Sequence, residues 1–396
     1  MTIAHVGRGY NSNPIVEDLK SLQQQGLHRK GRATLNISET EVKVGGNALI
    51  NFCSNDYLGL SSHPKLKQAI NDALLSGGVG SCASPMVSGK TLLHVELENK
   101  IACITGRDKA LLFSCGYMAN IGVIQALTQS QNFSIFLDRL CHASIIDGVV
   151  LSRSKFKRYQ HSSMASLRAL MERSQSIEKL VLAESVYSMD GDIAPLSELS
   201  EICHEHAACL VVDDAHGFGV LGDSGLGAMD EYGLTQTDVP LLMATFGKAL
   251  GVGGAFVAGK AEMIEVLEQR ARPYIYSTSL PIPIIAAVIA SLDILDDEPE
   301  RREHLRRLVK HFHHQAKKMS IQVSNSDSQI QPIIIGDANE TMRVCDLLER
   351  EGLLVAGIRQ PTVPRGTSRL RITLSALHSF EQVDQLLVAL KNNIQT

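Results

Sequence analysis

The sequence predicts an α/β protein with a mainly parallel sheet covered by helices on both faces, followed by a smaller α+β unit. Two observations carry this. Between residues 109 and 258, six short apolar runs alternate with segments of helical spacing. At Asp296-Asp297-Glu298-Pro299 the composition turns charged and the pattern changes. Parallel strands need crossover helices that bury both sheet faces, so such strands read as near-continuous apolar runs.

Taken in order, a helix is expected at Ile15–Gln25, leading into a polar, basic arm; residues 1–48 form this N-terminal segment. Strands are expected at Lys109–Phe113, Ser134–Leu137, Lys179–Glu184, Ala208–Asp213, Leu241–Phe246 and Gly254–Ala258. Helices such as Met118–Leu127 and Leu196–His206 lie between them. Residues 49–285 make the large domain on this reading, and residues 286–396 the small one. The small domain reads as a basic helix (Arg301–Lys318), a strand (Ile330–Ile335), a helix (Thr341–Glu351), strands Leu354–Ile358 and Arg369–Leu374, and a last helix (Glu381–Lys391).

Composition excludes several functional classes. The 396 residues are 44% hydrophobic and 20% charged, with a formal net charge of −4. These are ordinary values for a globular enzyme of about two or three domains. A negative balance, no tryptophan and 5% aromatics leave neither a basic footprint nor a stacking platform for nucleic acid. No apolar run reaches the ~18 residues of a membrane span. Met1 to Asn13 lacks the apolar centre of a signal peptide, so a cytoplasmic protein is expected. Eight cysteines without CxxC spacing point to reduced thiols. In Cys203-His204-Glu205-His206 and His311-Phe312-His313-His314, adjacent side chains diverge on a helix, so no metal site is expected.

In open α/β sheets, ligands bind at the carboxyl ends of the strands. Five expected strand ends deliver polar or glycine-rich turns: Ser114-Cys115-Gly116-Tyr117; Asp138 with His142; Glu184 with Ser188; Asp213-Asp214 with His216; and Gly247-Lys248. Lys248 follows an apolar strand and sits among Gly247, Gly251, Gly253 and Gly254. In a desolvated cleft its pKa would fall, which suits Schiff-base chemistry; a plain surface lysine is the alternative. Asp213 ends a very apolar run, and a buried carboxylate needs a cation or several donors. A protonated pyridine nitrogen is such a cation; capping the next helix is the alternative. His216, three residues on, is placed to reach a phenolic oxygen on the same ring. Gly116-Tyr117 opens a helix whose N–H groups suit a phosphate. Ser188, Thr245 and Ser277-Thr278-Ser279 add hydroxyls. This set points to pyridoxal 5′-phosphate (PLP).

Over roughly residues 29–390 the chain resembles the α-oxoamine synthases, PLP-dependent transferases of the type I, aspartate-aminotransferase-like fold. The resemblance rests on Phe52-Cys53-Ser54-Asn55-Asp56-Tyr57-Leu58-Gly59-Leu60, on Gly80-Ser81 with Val87-Ser88-Gly89, and on His94 with Leu97-Glu98. It continues through Ser188-Met189-Asp190-Gly191-Asp192, Asp213-Asp214-Ala215-His216-Gly217, Thr245-Phe246-Gly247-Lys248 and Tyr276-Ser277-Thr278-Ser279. It implies that Lys248 anchors PLP and acts as acid and base, that Asp213 pairs the ring nitrogen, that His216 bonds the phenolic oxygen, and that His142 stacks on the ring beside the substrate. Gly116, Tyr117, Ser188 and Thr245 would hold or orient the cofactor. Ser277 and Thr278 would reach the phosphate of the partner subunit's cofactor, which implies a homodimer with shared sites.

Asn55 and Arg371 match positions near the amino-acid carboxylate, and Arg29 and Thr362 match positions that contact the acyl group. Ile330-Gln331-Pro332-Ile333-Ile334-Ile335-Gly336 and Ile358-Arg359-Gln360-Pro361-Thr362-Val363-Pro364, with Gly366-Thr367-Ser368-Arg369-Leu370-Arg371, narrow the likeness further. They are similar to members that join L-alanine to a pimeloyl thioester, carried on coenzyme A or acyl carrier protein, in biotin biosynthesis. A member such as glycine C-acetyltransferase is the nearest alternative. A non-catalytic protein on the same fold is a second, which the intact Lys248, Asp213 and His216 oppose. No GxGxxG opens a βαβ unit, so a nucleotide-binding oxidoreductase is not supported. The chain departs from the family pattern at Gly80–Met86, at Ser185-Val186-Tyr187 and at Ser162-Ser163 after His161, all in loops.

Overall fold

The computed structural model of the chain describes residues 14–129 and 133–394, and the architecture is that of these residues. Helix α1 (Pro14–Gln24) leads to an antiparallel meander, β1 (Thr34–Asn36), β2 (Glu41–Val44) and β3 (Asn47–Asn51). Helices α2 (Pro64–Gly77) and α3 (Leu92–Ile104) follow. Thr91 and His94 form a capping box at the start of α3, and the His94 ring also meets the Leu280 carbonyl at 2.9 Å.

The central stretch alternates strand and helix: β4 (Lys109–Phe113), α4 (Gly116–Leu127), β5 (Phe133–Asp138), α5 (Ala143–Ser152), β6 (Lys155–Tyr159), α6 (Met164–Glu172), β7 (Glu178–Glu184), α7 (Leu196–Glu205), β8 (Cys209–Asp213), α8 (Ala228–Tyr232), β9 (Leu241–Thr245) and β10 (Ala255–Gly259). These strands form one sheet of order β4-β10-β9-β8-β7-β5-β6. It is parallel except at β10, which runs antiparallel to both neighbours. This is the mostly parallel α/β layer that the apolar runs predict.

The apolar runs are explained by parity. Leu111, Ile135, Leu180 and Val211 face one side, against α4 and α5. Leu112, Phe136, Val181 and Val212 face the other. That second core continues without a break into Ile330, Ile333, Leu370 and Ile372 of the C-terminal part.

Helices α9 (Ala261–Arg270), α10 (Arg272–Ile275), α11 (Ile282–Asp297) and α12 (Glu300–Lys318) come next, and α11 packs on α2 and α3. The chain closes with β11 (Ile330–Gly336), α13 (Ala338–Arg350), β12 (Leu353–Leu354), β13 (Ala356–Ile358), β14 (Ser368–Thr373) and α14 (Phe380–Asn393). β11, β14 and β13 make an antiparallel sheet, whereas β12 pairs in parallel with β3.

Two strand expectations need correction. The run Leu354–Ile358 is not one strand, because the chain changes sheets between β12 and β13. Strand β6 has no apolar run to announce it: Lys155, Phe156, Lys157 and Arg158 are exposed at the sheet edge, where charge protects an unpaired strand.

The loop after β3 ties the two parts together. Thr373 N–H donates to the Phe52 carbonyl at 2.8 Å, Ala376 N–H to Tyr57 at 2.7 Å, and Ser375 Oγ to Asp56 at 2.8 Å. Gly59 turns this loop with φ +70°, and a Cβ there would lie 2.2 Å from Leu377 Cγ. Gly59→Ala should therefore combine left-handed strain with overpacking and destabilise the protein by about 2–4 kcal/mol. Urea unfolding checks this; an unchanged midpoint would show that the loop yields without loss.

Candidate active site

A cleft of about 160 Å³ opens at the carboxyl ends of the parallel strands. Gly116, Tyr117, Asn120, His142, Ser144, Glu184, Asp213, Ala215, His216, Met243, Thr245 and Lys248 line it. Larger clefts of about 610 and 660 Å³ lie beside α12 and α11, but they collect no such set of strand-end groups. Chemistry, not volume, marks the site.

Lys248 sits in the tight connection between β9 and β10. Phe246 N–H donates to Gly254 O, and Gly251 N–H to Lys248 O, both at 2.9 Å. Gly251 has φ +66°, and a Cβ on it would lie 2.3 Å from Ser61 N, so the loop closes onto residue 61 only with glycine there. Thr245 Oγ1 braces the turn by donating to Gly254 O at 2.8 Å. Burial pulls the Lys248 pKa down to about 8, against Asp213 and Glu184, which favour the charged form. Among the described residues, no hydrogen bond or ion pair holds its Nζ.

Asp213 and Asp214 divide two tasks between them. Asp213 points into the cleft and accepts from Asn120 Nδ2 at 2.8 Å and Ala215 N–H at 3.0 Å. Both donors are neutral, and no cation pairs with it among the described residues. Asp214 is fully buried; it accepts from Ser185 Oγ and from Ala228 N–H at the start of α8. The capping role that the sequence left open thus belongs to Asp214, whose pKa burial raises to about 7.

The two histidines are neutral. His142 caps α5: its Nδ1 accepts from Ser144 N–H at 3.2 Å and lies 2.8 Å from Ser144 Oγ. Burial lowers its pKa, and Lys248 adds to this against the pull of Asp213. Burial, with Lys248, Arg371 and His142 nearby, holds His216 well below the usual imidazole range. Its Nδ1 lies 2.5 Å from the Tyr57 hydroxyl, and its carbonyl accepts from Gln329 Nε2 at 2.8 Å.

Glu184, Tyr57 and Asn120 join the site without having been singled out as site residues. Glu184 stands opposite Asp213 in the β7–β8 register and accepts the His142 and Ser188 backbone N–H groups. Burial, then Asp213, pushes its pKa far up. Asn120 lies one helical turn beyond Gly116, a spacing that could have flagged it. The same loops are clamped from outside by His161, whose ring nitrogens lie 2.9 Å from Asp138 Oδ1 and 2.9 Å from Asp192 Oδ2. Burial lowers the His161 pKa, but the two carboxylates overcome this and raise it to about 10.

The remaining expected residues fall in three groups. Gly116 and Tyr117 start α4, whose N-cap residue Cys115 leaves the first N–H groups without a side-chain cap. Tyr117 donates to Asp147 and stands edge-on to His142. Ser188 offers its carbonyl to Arg371 Nε at 2.6 Å. Arg371 is 6% exposed, and its other partners are Asn55 Oδ1 and Thr373 Oγ1, all neutral. Arg29 and Thr362 meet at 2.9 Å on the surface, 333 residues apart. Ser277 and Thr278 are not brought to this chain's own cleft: Ser277 lies by Met118, and the Thr278 carbonyl accepts from Ser114 Oγ at 3.4 Å.

These groups fit PLP. A buried carboxylate without a cation suits a protonated ring nitrogen, an unpaired amine of lowered pKa suits an aldehyde, and an uncapped helix start suits a phosphate.

Comparison with known proteins agrees. Residues 47–390 match the aminotransferase class I and II family. The chain is similar to the 8-amino-7-oxononanoate synthase of Thioalkalivibrio sulfidiphilus, with 47% identity over 96% of each chain. It is 45% identical to that of Methylococcus capsulatus over 95% of this chain and 97% of the relative. Its fold resembles serine palmitoyltransferase from S. paucimobilis with bound PLP (TM-score 0.91, 29% identity, 98% of each chain). It also resembles 8-amino-7-oxononanoate synthase from Francisella tularensis (TM-score 0.76, 33% identity, 87% of this chain and 97% of that one). The chain belongs to the aminotransferase class I and II family of PLP-dependent enzymes, and within it to the 8-amino-7-oxononanoate synthases.

Proposed function

We propose that this enzyme condenses L-alanine with a pimeloyl thioester, releasing CO2, the free thiol carrier and 8-amino-7-oxononanoate, as a cytoplasmic step of biotin biosynthesis. The observation that carries this is the meeting of Lys248, Asp213 and His216 in one cleft, beside a buried Arg371 with only neutral partners. PLP, when bound, supplies an electron sink for charge that develops at the alanine Cα.

The chain's own groups have the following roles. Lys248 anchors the cofactor and moves the alanine Cα proton; a pKa near 8 lets one amine both take and return it. Asp213 would keep a proton on the cofactor's ring nitrogen, His216 would bond the phenolic oxygen, and the neutral His142 would flank the ring. Gly116, Tyr117, Ser188 and Thr245 orient the cofactor and its phosphate. Arg371 and Asn55 receive the alanine carboxylate. Arg29 and Thr362 contact the acyl chain from the surface side.

The assembly is a homodimer. Leu75, Val79, Val87 and Leu92 are 89%, 78%, 81% and 88% exposed, on α2, the following loop and the start of α3. Exposed apolar side chains in this number favour a partner copy. Ser81 Oγ, in the same loop, donates to the Leu280 carbonyl, so this loop adjoins the segment that carries Ser277 and Thr278. These two residues complete the partner's phosphate site.

Four outcomes are expected. Borohydride reduction of the PLP-loaded protein should attach the cofactor to Lys248, and Lys248→Ala should abolish turnover; a label on another lysine would reassign the anchor. Because only the unprotonated amine attacks, PLP capture by the apoprotein should quicken roughly tenfold per pH unit and level off above about 8. The double change Val87→Asp, Leu92→Asp should convert a sedimenting dimer to monomer and weaken PLP retention; a dimer that survives it lies elsewhere. Finally, kcat/KM for pimeloyl thioester should exceed that for the equally long heptanoyl thioester by about ten- to a hundredfold, since an unmet charged donor costs about 1.5–3 kcal/mol. Arg29→Ala should narrow that gap, and equal values for the two thioesters would remove recognition of the far carboxylate.

A further inference from the structure

A neutral imidazole carries one N–H and one lone pair, and only one tautomer of His216 can donate to a phenolic oxygen in the cleft. The ring lines the cleft, and its Nε2 has no partner among the described residues. Its Nδ1 faces a single side chain, the Tyr57 hydroxyl, at 2.5 Å. What Tyr57 does with its one proton therefore decides what His216 offers the cleft.

Tyr57 is fully buried, so its hydroxyl has no water to turn to. Two acceptors compete for the proton: His216 Nδ1 at 2.5 Å and Asn55 Oδ1 at 3.1 Å. The Asn55 amide is held with its oxygen inward. Arg371 Nη1 and Nη2 lie 3.3 and 3.4 Å from Oδ1, and a flipped amide would put an NH2 against the guanidinium. Asn55 Oδ1 is thus already supplied by a cation, whereas His216 Nδ1 has no other donor. Burial raises the phenol's pKa, and the nearby Arg371 charge, with the polar side chains of Gln329 and Arg371, holds the rise back. The hydroxyl therefore donates toward the ring, the shorter of its two contacts.

We propose that Tyr57 is a positioning residue whose hydroxyl donates to His216 Nδ1, locks the ring in its Nε2–H tautomer and thereby aims a hydrogen-bond donor into the cleft. This rests on the reading that His216 serves the cofactor's phenolic oxygen. The loop from Phe52 to Leu60 then has a second task beyond joining the two parts of the protein, because it sets the polarity of a group on the far side of the cleft. Contacts of 3.3, 3.1 and 2.5 Å along Arg371–Asn55–Tyr57–His216 also run from the proposed carboxylate site to the proposed cofactor site.

The test is histidine-selective 15N spectroscopy of the full-length protein without cofactor. The His216 signals are assigned by their loss in His216→Asn. The parent ring should be protonated at Nε2 and bare at Nδ1. In Tyr57→Phe, which keeps the ring and loses only the hydroxyl, both tautomers should be populated. The PLP-loaded Tyr57→Phe protein should show a displaced visible absorption band, and its kcat should fall about tenfold while the alanine KM stays within about twofold. A parent ring protonated at Nδ1 overturns the proposal without need of any variant. So does a Tyr57→Phe protein that matches its parent in tautomer. A shifted tautomer with an unchanged absorption band would leave the lock standing and instead remove His216 from the phenolic oxygen.

Discussion

Buried charge at the ends of two neighbouring strands is the constraint on which the site depends. The β7–β8 register sets Glu184 opposite Asp213, and both residues are buried. Like charges so placed repel, and each must be met by donors or cations. The fold meets Glu184 with two backbone N–H groups and Asp213 with Asn120 and Ala215. Lys248 and Arg371 supply the opposing charge without closing an ion pair with either carboxylate. The amine stays near pKa 8 because burial and two nearby acids pull against each other. A site completely neutralised by its own side chains would have little attraction for a cationic ring.

Rigidity around this balance comes from outside the cleft. His161 bridges Asp138 and Asp192, so the turns carrying His142 and Ser188 are tied to each other twice, once by that imidazolium and once by Glu184. The loop bearing Lys248 is pressed against residue 61 through Gly251, and the loop bearing Asn55 and Tyr57 is hydrogen-bonded to the end of β14. Four separate turns are therefore held in register by bonds that never touch a substrate. Preorganised dipoles of this kind do not reorganise as charge develops, which is what makes them effective.

Much of the architecture was legible because burial on both faces leaves a plain record. The runs at Ala208–Asp213 and Leu241–Phe246 are mostly apolar, and each lies on a central strand within a residue of its observed ends. Strand β6 left no such record, since an edge strand is written in Lys and Arg and resembles a loop. The change of sheet between Leu354 and Ala356 was equally silent, because both sheets bury the same kind of residue. In the cleft, Lys248, Asp213 and His216 could be picked out because each closes or follows an apolar strand. The division between Asp213 and Asp214 needed the alternation of side chains along a strand, which sends neighbours to opposite faces. Tyr57 looked like core, and it is core; its hydroxyl matters only because His216, 159 residues later, is folded against it. The pairing of Arg29 with Thr362 lies beyond any local pattern.

The pairing of β3 with β12 has a consequence for how the protein is made. Ile50 is hydrogen-bonded into the same sheet as Leu353, and Ile50 N–H donates to the Gly352 carbonyl at 2.8 Å. A ribosome releasing about 5–20 residues per second needs roughly 15–60 s to add the 300 or so residues between them. For that interval the meander β1–β3 waits with one edge uncovered, while the central sheet, whose strands are closer together in sequence, can already assemble. The N-terminal strands are first to be synthesised and among the last to be secured. Nascent chains of this protein therefore carry an open β-edge for most of their synthesis, and chaperones that shield such edges have their natural window there.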